Sequence, residues 1–296
     1  MMVFGNSYPA LLDDHLRIVL VMWRREMKRY FKDKSQIFGA FSRTVLWLII
    51  LGFGLGATLR EIEGYTYSQY ILPGVMVLNV LFASLQSAFG IVKDRKLGLL
   101  RQVMVSPATS LSVTVGKLIA GASVAVCQGL VPLLFVPLIG LELGFDDFIV
   151  TVIVLFSMGL GLTGVGVLIA TRMSGFESFG AISNGVIQPL YFLSGSIFPL
   201  KGIVGGIGFL DIPLALRDEL RTYGIYAIGG GWLVELPTWL EAIVRANPIS
   251  YQLDLLRNAI LGFYQLPQIL GIFVCVVFPL VSIVIATRAI EKIRQT

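Results

Sequence analysis

Residues able to act as acids, nucleophiles or metal ligands are few in this chain. There is one histidine, His15, and there are two cysteines, Cys127 and Cys275, each inside an apolar run. They read as a surface side chain and two small hydrophobes rather than a ligand set or a disulfide. No HExxH, no GxSxG and no paired Cys/His spacing occurs, so neither metal-assisted nor nucleophilic hydrolysis has a recognisable framework. The only Gly-Lys pair, Gly116-Lys117, lacks the upstream glycine of a phosphate-binding loop, so ATP hydrolysis by that mechanism is excluded. What remains is the chemistry of docking. In Lys93–Pro107, KDRKLGLLRQVMVSP, the charged Lys93, Asp94, Arg95, Lys96 and Arg101 alternate with Leu97, Leu99, Leu100, Val103 and Met104. That spacing predicts a short basic amphipathic helix, closed by Ser106-Pro107.

The elements that must position this segment are apolar. Of 296 residues 56% are hydrophobic and 14% charged, against about 25% charged in an ordinary soluble protein. Continuous apolar runs near the roughly 20 residues that cross a bilayer predict an all-α polytopic membrane protein. The alternating ten-residue pattern of a barrel is missing. Six transmembrane helices are expected: Ile37–Leu59, Gln69–Val92, Ser112–Gly140, Phe148–Ala170, Glu177–Phe198 and Pro267–Thr287. Before them, residues 13–34 place Leu16, Leu20, Trp23, Met27 and Phe31 on one helical face, with Arg17, Arg24, Arg25, Lys28, Arg29 and Lys32 supplying the charge. This predicts an N-terminal interfacial amphipathic helix with its cations near anionic lipid headgroups. No cleavable signal peptide is expected, because the first 35 residues are charged and lack an apolar core.

Cations set the orientation. The segment up to Lys34 carries seven Lys and Arg residues, Lys93–Arg101 carries four, and Arg172, Arg288, Lys292 and Arg294 follow on the same side. The alternate short loops hold Arg60 alone, or only the acids Glu142, Asp146 and Asp147. Both termini are therefore expected in the cytoplasm of a cell, with the protein in the plasma membrane. The net charge of +5 is explained by this topology and does not call for nucleic acid. The long loop 199–266 is apolar but too charged for two further spans. Ile203–Leu210 and Ile225–Leu240 read as short helices or glycine-jointed segments, and short re-entrant or interfacial helices on the outer face fit best.

Mid-span positions carry neutral polar residues: Asn79 and Gln86, Gln128, then Asn184 and Gln188. Arg43 and Lys117 read as lying near span ends. Interhelical hydrogen bonding explains such amides. The alternative is a substrate path, with Trp47, Phe53, Tyr191 and Phe192 supplying aromatic walls beside Asn79, Asn184 and Gln188. Glycines cluster in span one (Gly52, Gly54, Gly56) and span four (Gly159, Gly161, Gly164, Gly166), as close helix packing in lipid requires. A chain that moves a solute without an intramembrane ion site needs energy from elsewhere. An ion-coupled carrier and a membrane-embedded enzyme are the rival readings.

Three motifs carry a family resemblance. They are Asp94-Arg95-Lys96 through Gly98, Leu99, Leu100 and Arg101 to Ser106-Pro107; Phe192-Leu193-Ser194-Gly195 with Phe198-Pro199; and Asn247-Pro248 with Tyr251, Asp254, Arg257 and Gly262. In order and spacing they resemble the membrane permeases of type-2 ABC exporters, of the daunorubicin-exporter-like and lipo-oligosaccharide-exporter-like branch. The resemblance implies one transmembrane domain over 1–296 and an exporter of amphipathic drug-like, lipid or glycoconjugate substrates. The chain would pair with a second copy of itself or a related permease. Two copies of a separate ATPase would bind the ATP and Mg, leaving no cofactor on this chain. Asp94, Arg95, Lys96, Leu99, Leu100, Arg101, Met104 and Pro107 would form the coupling helix. Trp23, Arg24, Arg25 and Lys28 would belong to a connector helix beside it. Pro199, Asn247, Pro248, Tyr251, Asp254 and Arg257 would shape an extracellular lid, lengthened by an apparent insertion around 202–231. Spans one and five would face each other across the dimer axis.

Overall fold

The computed structural model describes residues 8–56, 62, 64–96, 109–173, 181–198, 201–205, 225–228, 231–235 and 237–295. The first helix, α1 (Tyr8–Lys32), ends at Asp33, whose carboxylate accepts hydrogen bonds from Ser35 Oγ (2.7 Å) and Gln36 Nε2 (3.0 Å). Helix α2 then runs from Lys34 to Gly56, with a π-helical stretch at Val45–Leu51. Just before that stretch, Thr44 Oγ1 donates back to the Ala40 carbonyl. Helix α3 covers Tyr67–Lys96. Helix α4 (Ser110–Gly129) continues as a 3-10 segment, Val131–Ile139. Pro132 and Pro137 each lack the N–H that an α-helical turn needs, and the left-handed Gly140 (φ 67°) ends the segment.

Helix α5 spans Phe145–Arg172. Helix α6 is a π-helical turn, Ser183–Ile187, followed by Gln188–Phe192. Strands β1 (Lys201–Gly205), β2 (Ile225–Ile228) and β3 (Gly231–Glu235) come next. Helices α7 (Thr238–Ala246), α8 (Pro248–Leu261) and α9 (Gln268–Gln295) complete the chain.

Helix α3 is the axis of the bundle. Every residue from Tyr70 to Leu81 is buried, as an all-round apolar helix demands. Helices α4, α5 and α8 pack around it, and α9 packs on α5. The glycines of α5 permit the close approach. A side chain at Gly166 would lie 2.7 Å from Ala88 Cβ of α3, and one at Gly164 would lie 2.7 Å from Ser282 Cβ of α9. In α2 the pattern differs, since a side chain at Gly54 would meet nothing within 4 Å. Val92, Ala170, Met173 and Ile290 share a cluster, so α3, α5 and α9 all finish at one end, called here the basic end. Helices α2 and α9 present many exposed large apolar side chains, Phe38, Ile50, Ile269 and Phe273 among them, a surface suited to lipid.

Among the described residues five helices are long and apolar enough to cross a membrane: Lys34–Gly56, Tyr67–Asp94, Ser110–Ile139, Phe145–Arg172 and Gln268–Lys292. The run expected as a fifth span, 177–198, is not one of them. Its first residues fall outside the described set, and its helix stops at Phe192. There a turn follows, with Gly195 at φ 76° and the Ser194 hydroxyl donating to the Tyr191 carbonyl. The loop also departs from expectation. The described residues of 201–235 form a small antiparallel sheet of order β1-β3-β2, with Lys201 opposite Glu235 and Ile225 opposite Val234. Ile203, Val204, Ile225, Tyr226, Trp232 and Val234 are β-branched or aromatic, which favours strands over helix. Among the described residues the elements are therefore helical apart from this sheet. Helices α7 and α8 lie directly before α9.

Candidate functional site

At the basic end, α1 is fastened across the start of α4 and the end of α3. His15 Nδ1 is 2.7 Å from Ser112 Oγ, and Trp23 Nε1 donates to Ser123 Oγ at 2.9 Å. A side chain at Gly116 would run into Val19 and Met22, so the glycine brings the two helices together. Glu26 points into the same seam. Its carboxylate lies 3.2 Å from Lys117 Nζ and 3.2 Å from Arg25 Nη2, with Arg29 Nη1 at 3.9 Å. Asp94, on the last turn of α3, meets Arg25 at 3.2 Å and Lys117 at 3.6 Å.

Glu26 and Asp94 are each 8% exposed and Lys117 is 4% exposed. This is thus a buried cluster joining three elements. Burial pushes the Glu26 carboxyl up, but Lys117, Arg25 and Arg29 outweigh it and hold the group below its ordinary value. Asp94 opens the basic segment and Lys117 follows it, so the clasp grips both flanks of 95–108.

Of the residues assigned to docking, Arg95 and Lys96 extend α3, with only their backbone described. Leu99, Leu100, Arg101, Met104 and Pro107 lie outside the described residues. On α1, Trp23 and Met27 turn inward, whereas Leu16, Leu20 and Phe31 are exposed. Arg24 and Lys28 are exposed and Arg25 is in the clasp. Sequence reasoning did not single out Glu26. The available signal was one acid in a run of six cations, since between His15 and Lys32 it is the only acidic residue.

A second polar node lies midway along the bundle. Arg43 Nε donates to Asn79 Oδ1 at 2.8 Å, and its Nη2 donates to Gln128 Oε1 at 3.3 Å. Asn79 Nδ2 in turn donates to Thr44 Oγ1 at 2.9 Å. The guanidinium carbon sits 4.4 Å from the centre of the Phe82 ring. Among the described residues no carboxylate forms an ion pair with Arg43. Arg43 was expected near a span end, yet it reaches the middle of α3. The π-helical stretch of α2 begins two residues after it.

The remaining path residues do not converge on Asn79. Trp47 packs edge-on to Tyr191 at 5.7 Å, and Tyr191 does the same to Phe192. Tyr191 is buried and its hydroxyl has no partner among the described residues. Phe53 and Gln188 are exposed. Of Asn184 only the backbone is described.

At the opposite end, the Asn247 motif forms a brace. Asn247 caps α8, accepting from Ile249 N (3.1 Å), and donates to the Leu190 carbonyl (2.8 Å). Pro248 occupies the first turn, where its missing N–H costs nothing. Asp254 accepts from Gln265 N (2.9 Å) and Leu266 N (3.0 Å), closing the α8–α9 turn. Burial pushes its carboxyl up, against those two N–H groups and Arg257. Arg257 is fully buried and donates to Tyr70 Oη (2.7 Å) and to the Gly195 carbonyl (2.5 Å). Tyr251 packs between Val244 and Leu266. Pro199 lies outside the described residues.

A bundle of membrane-length helices with a clasped amphipathic helix at one end defines a multi-pass membrane protein of the transporter kind. The chain belongs to the ABC-2 type transporter family, whose profile matches residues 17–210. It is similar to Nodulation protein J of Rhizobium leguminosarum bv. viciae, 20% identical over 281 residues, covering 92% of this chain and 93% of that protein. Nodulation protein J of Sinorhizobium fredii is 23% identical over 265 residues, covering 87% of this chain and 99% of that protein. The inner membrane transport permease YadH of Escherichia coli K12 is 22% identical over 281 residues, 92% and 93% of the two chains. The chain is accordingly a membrane permease of an ABC-2 type transporter.

Proposed function

We propose that this permease exports an amphipathic drug-like, lipid or glycoconjugate substrate and is driven by a separate ATP-hydrolysing subunit. Two ATPase copies, carrying ATP and Mg, dock on the 93–107 segments of a permease dimer. The observation that carries this reading is the Glu26–Lys117–Asp94 clasp. It ties α1 to both flanks of the docking segment, so a push on that segment reaches α3 and α4 together.

The run 177–198 supplies the further crossing that makes six. Ile182 packs with the cluster at the basic end, whereas a side chain at Gly74, near the other end of α3, would collide with the Ser196 carbonyl. With six crossings both termini are cytoplasmic and 199–266 is outside. Substrate enters laterally past Trp47, Phe53, Tyr191 and Phe192.

The test is co-purification with the ATPase. Reversing the charges of Arg95, Lys96 and Arg101 weakens the complex, and Leu99→Asp or Met104→Asp weakens it more. Glu26→Gln with Asp94→Asn leaves the complex assembled but removes substrate stimulation of its ATPase. A purified chain that hydrolyses ATP alone, or a complex that survives every change, overturns the reading. Unchanged transport after Phe53→Ala, Tyr191→Ala and Phe192→Ala sinks the path and leaves the partner intact.

A further inference from the structure

An apolar groove of about 750 Å³ opens on the outside of the bundle between α1, α4, α5 and α9. Trp23, Met27, Cys127, Phe156, Cys275 and Leu280 line it, so the two cysteines of the chain share one surface. Its only hydroxyls are already occupied. Ser123 donates to the Ile119 carbonyl and accepts from Trp23, while Ser157 donates to the Cys275 carbonyl and accepts from Gln252. The walls therefore offer nothing to a polar ligand, and the size suits a long hydrocarbon.

The rim toward the basic end is different. Arg24 and Lys28 follow Trp23 and Met27 by one residue each and are exposed. On α9 the exposed stripe Val276, Leu280, Val284 continues directly to the exposed Arg288. At 1.5 Å per residue, Arg288 lies about 7 Å along the helix from Ile283, the last lining residue. Among the described side chains of α1 the one acid, Glu26, is held inside the clasp.

We propose that the groove binds one anionic phospholipid of the leaflet at the basic end, its acyl chain against Cys127 and Phe156 and its phosphate among Arg24, Lys28 and Arg288. Cationic side chains beside a membrane surface attract anionic headgroups, and a neutral headgroup gains nothing from them. Binding of this lipid is independent of the cargo that the transporter carries. Because the lipid touches α1 at Trp23, it adds a contact to the helix that the clasp positions.

The experiment is native mass spectrometry of the full wild-type chain, delipidated in neutral detergent and titrated with phosphatidylglycerol or with phosphatidylcholine of the same acyl chains. The expected result is one retained phosphatidylglycerol per chain, preferred by about tenfold or more. Arg24→Gln with Lys28→Gln removes the preference, and Cys127→Phe, which fills the groove, removes retention of both lipids. A parallel readout uses a chain keeping Trp23 with Trp47→Phe, Trp232→Phe and Trp239→Phe. Brominated phosphatidylglycerol then quenches its fluorescence more than brominated phosphatidylcholine does. Equal retention of the two lipids by the wild-type chain overturns the proposal. So does loss of retention as the chain dimerises with Cys127 becoming shielded from maleimide, which assigns the groove to a second copy.

Discussion

Lys117 faces two carboxylates from two other helices, so its charge is shared and cannot be removed locally. Lys117→Met leaves Glu26 and Asp94 buried together with only the half-exposed Arg25 and Arg29 against them, at a cost of up to about 3–5 kcal/mol. Adding Glu26→Leu restores part of that stability, because it removes one of the two like charges. Melting of the purified permease reads both changes, and an unchanged Tm for the single variant would refute the clasp. The same cluster gives a pH dependence. The folded Glu26 has a lowered pKa, so its contribution is complete above the unfolded value, about 4.3. The contribution fades as pH falls through the lower folded value. Wild-type protein should therefore lose more stability on acidification below about pH 4 than Glu26→Gln does. Equal losses would argue against it.

Arg43 makes the complementary case. Arg43→Leu strands the Asn79 and Gln128 oxygens, at about 1–3 kcal/mol for each buried group left unpaired, and Arg43→Gln should recover some of it. Neither residue's role was legible from spacing. A single acid among cations reads as a surface ion pair, and the depth of Arg43 depends on α2 starting at Lys34, three residues before the apolar run suggests.

At the scale of elements, hydropathy located the membrane-length helices to within a few residues, since continuous apolar runs have one stable form in lipid. It could not separate strand from helix in 201–235, where short apolar stretches fit either period. The amphipathic α1 was legible as a helix, but its inward face was not. The apolar stripe Leu16, Leu20, Trp23, Met27, Phe31 is split, because His15 and Glu26 are drawn into the α4 seam. Glycine clustering likewise carried half the information. Both glycine clusters look alike in sequence, yet all four of α5 are crowded from α3, α4 or α9, whereas in α2 Gly52 meets Ser68 at 3.0 Å and Gly54 faces open space. Gly166→Leu should therefore disrupt the bundle and lower the yield of folded protein several-fold, whereas Gly54→Ala should leave it unchanged. Size-exclusion profiles in detergent distinguish them. A monodisperse Gly166→Leu variant would show that α5 tolerates separation from α3.

The whole molecule is a bundle whose cations collect at one end. Glu26, Asp94 and Lys117 meet there, and the last turns of α5 and α9 reach the same cluster. The two described ends of the chain therefore lie on one face of the bundle, whichever side of the membrane that is. The excess of Lys and Arg on that face is what supports the proposed cytoplasmic orientation, because cations near span ends resist translocation. Chain direction supplies the rest. Helices α2 and α4 leave the basic end and α3, α5 and α9 return to it, which supports the proposed further crossing by 177–198 between α5 and α9. Single cysteines introduced at Glu63, Asp147 and Arg217, in a chain with Cys127→Ala and Cys275→Ala, should react with a membrane-impermeant maleimide added to intact cells. Cysteines at Lys96 and Lys292 should react only after the membrane is opened. Labelling at Lys96 in sealed cells would invert the whole arrangement. Labelling at Asp147 but not at Arg217 would eliminate the crossing by 177–198 and contradict the return of α9 to the basic end.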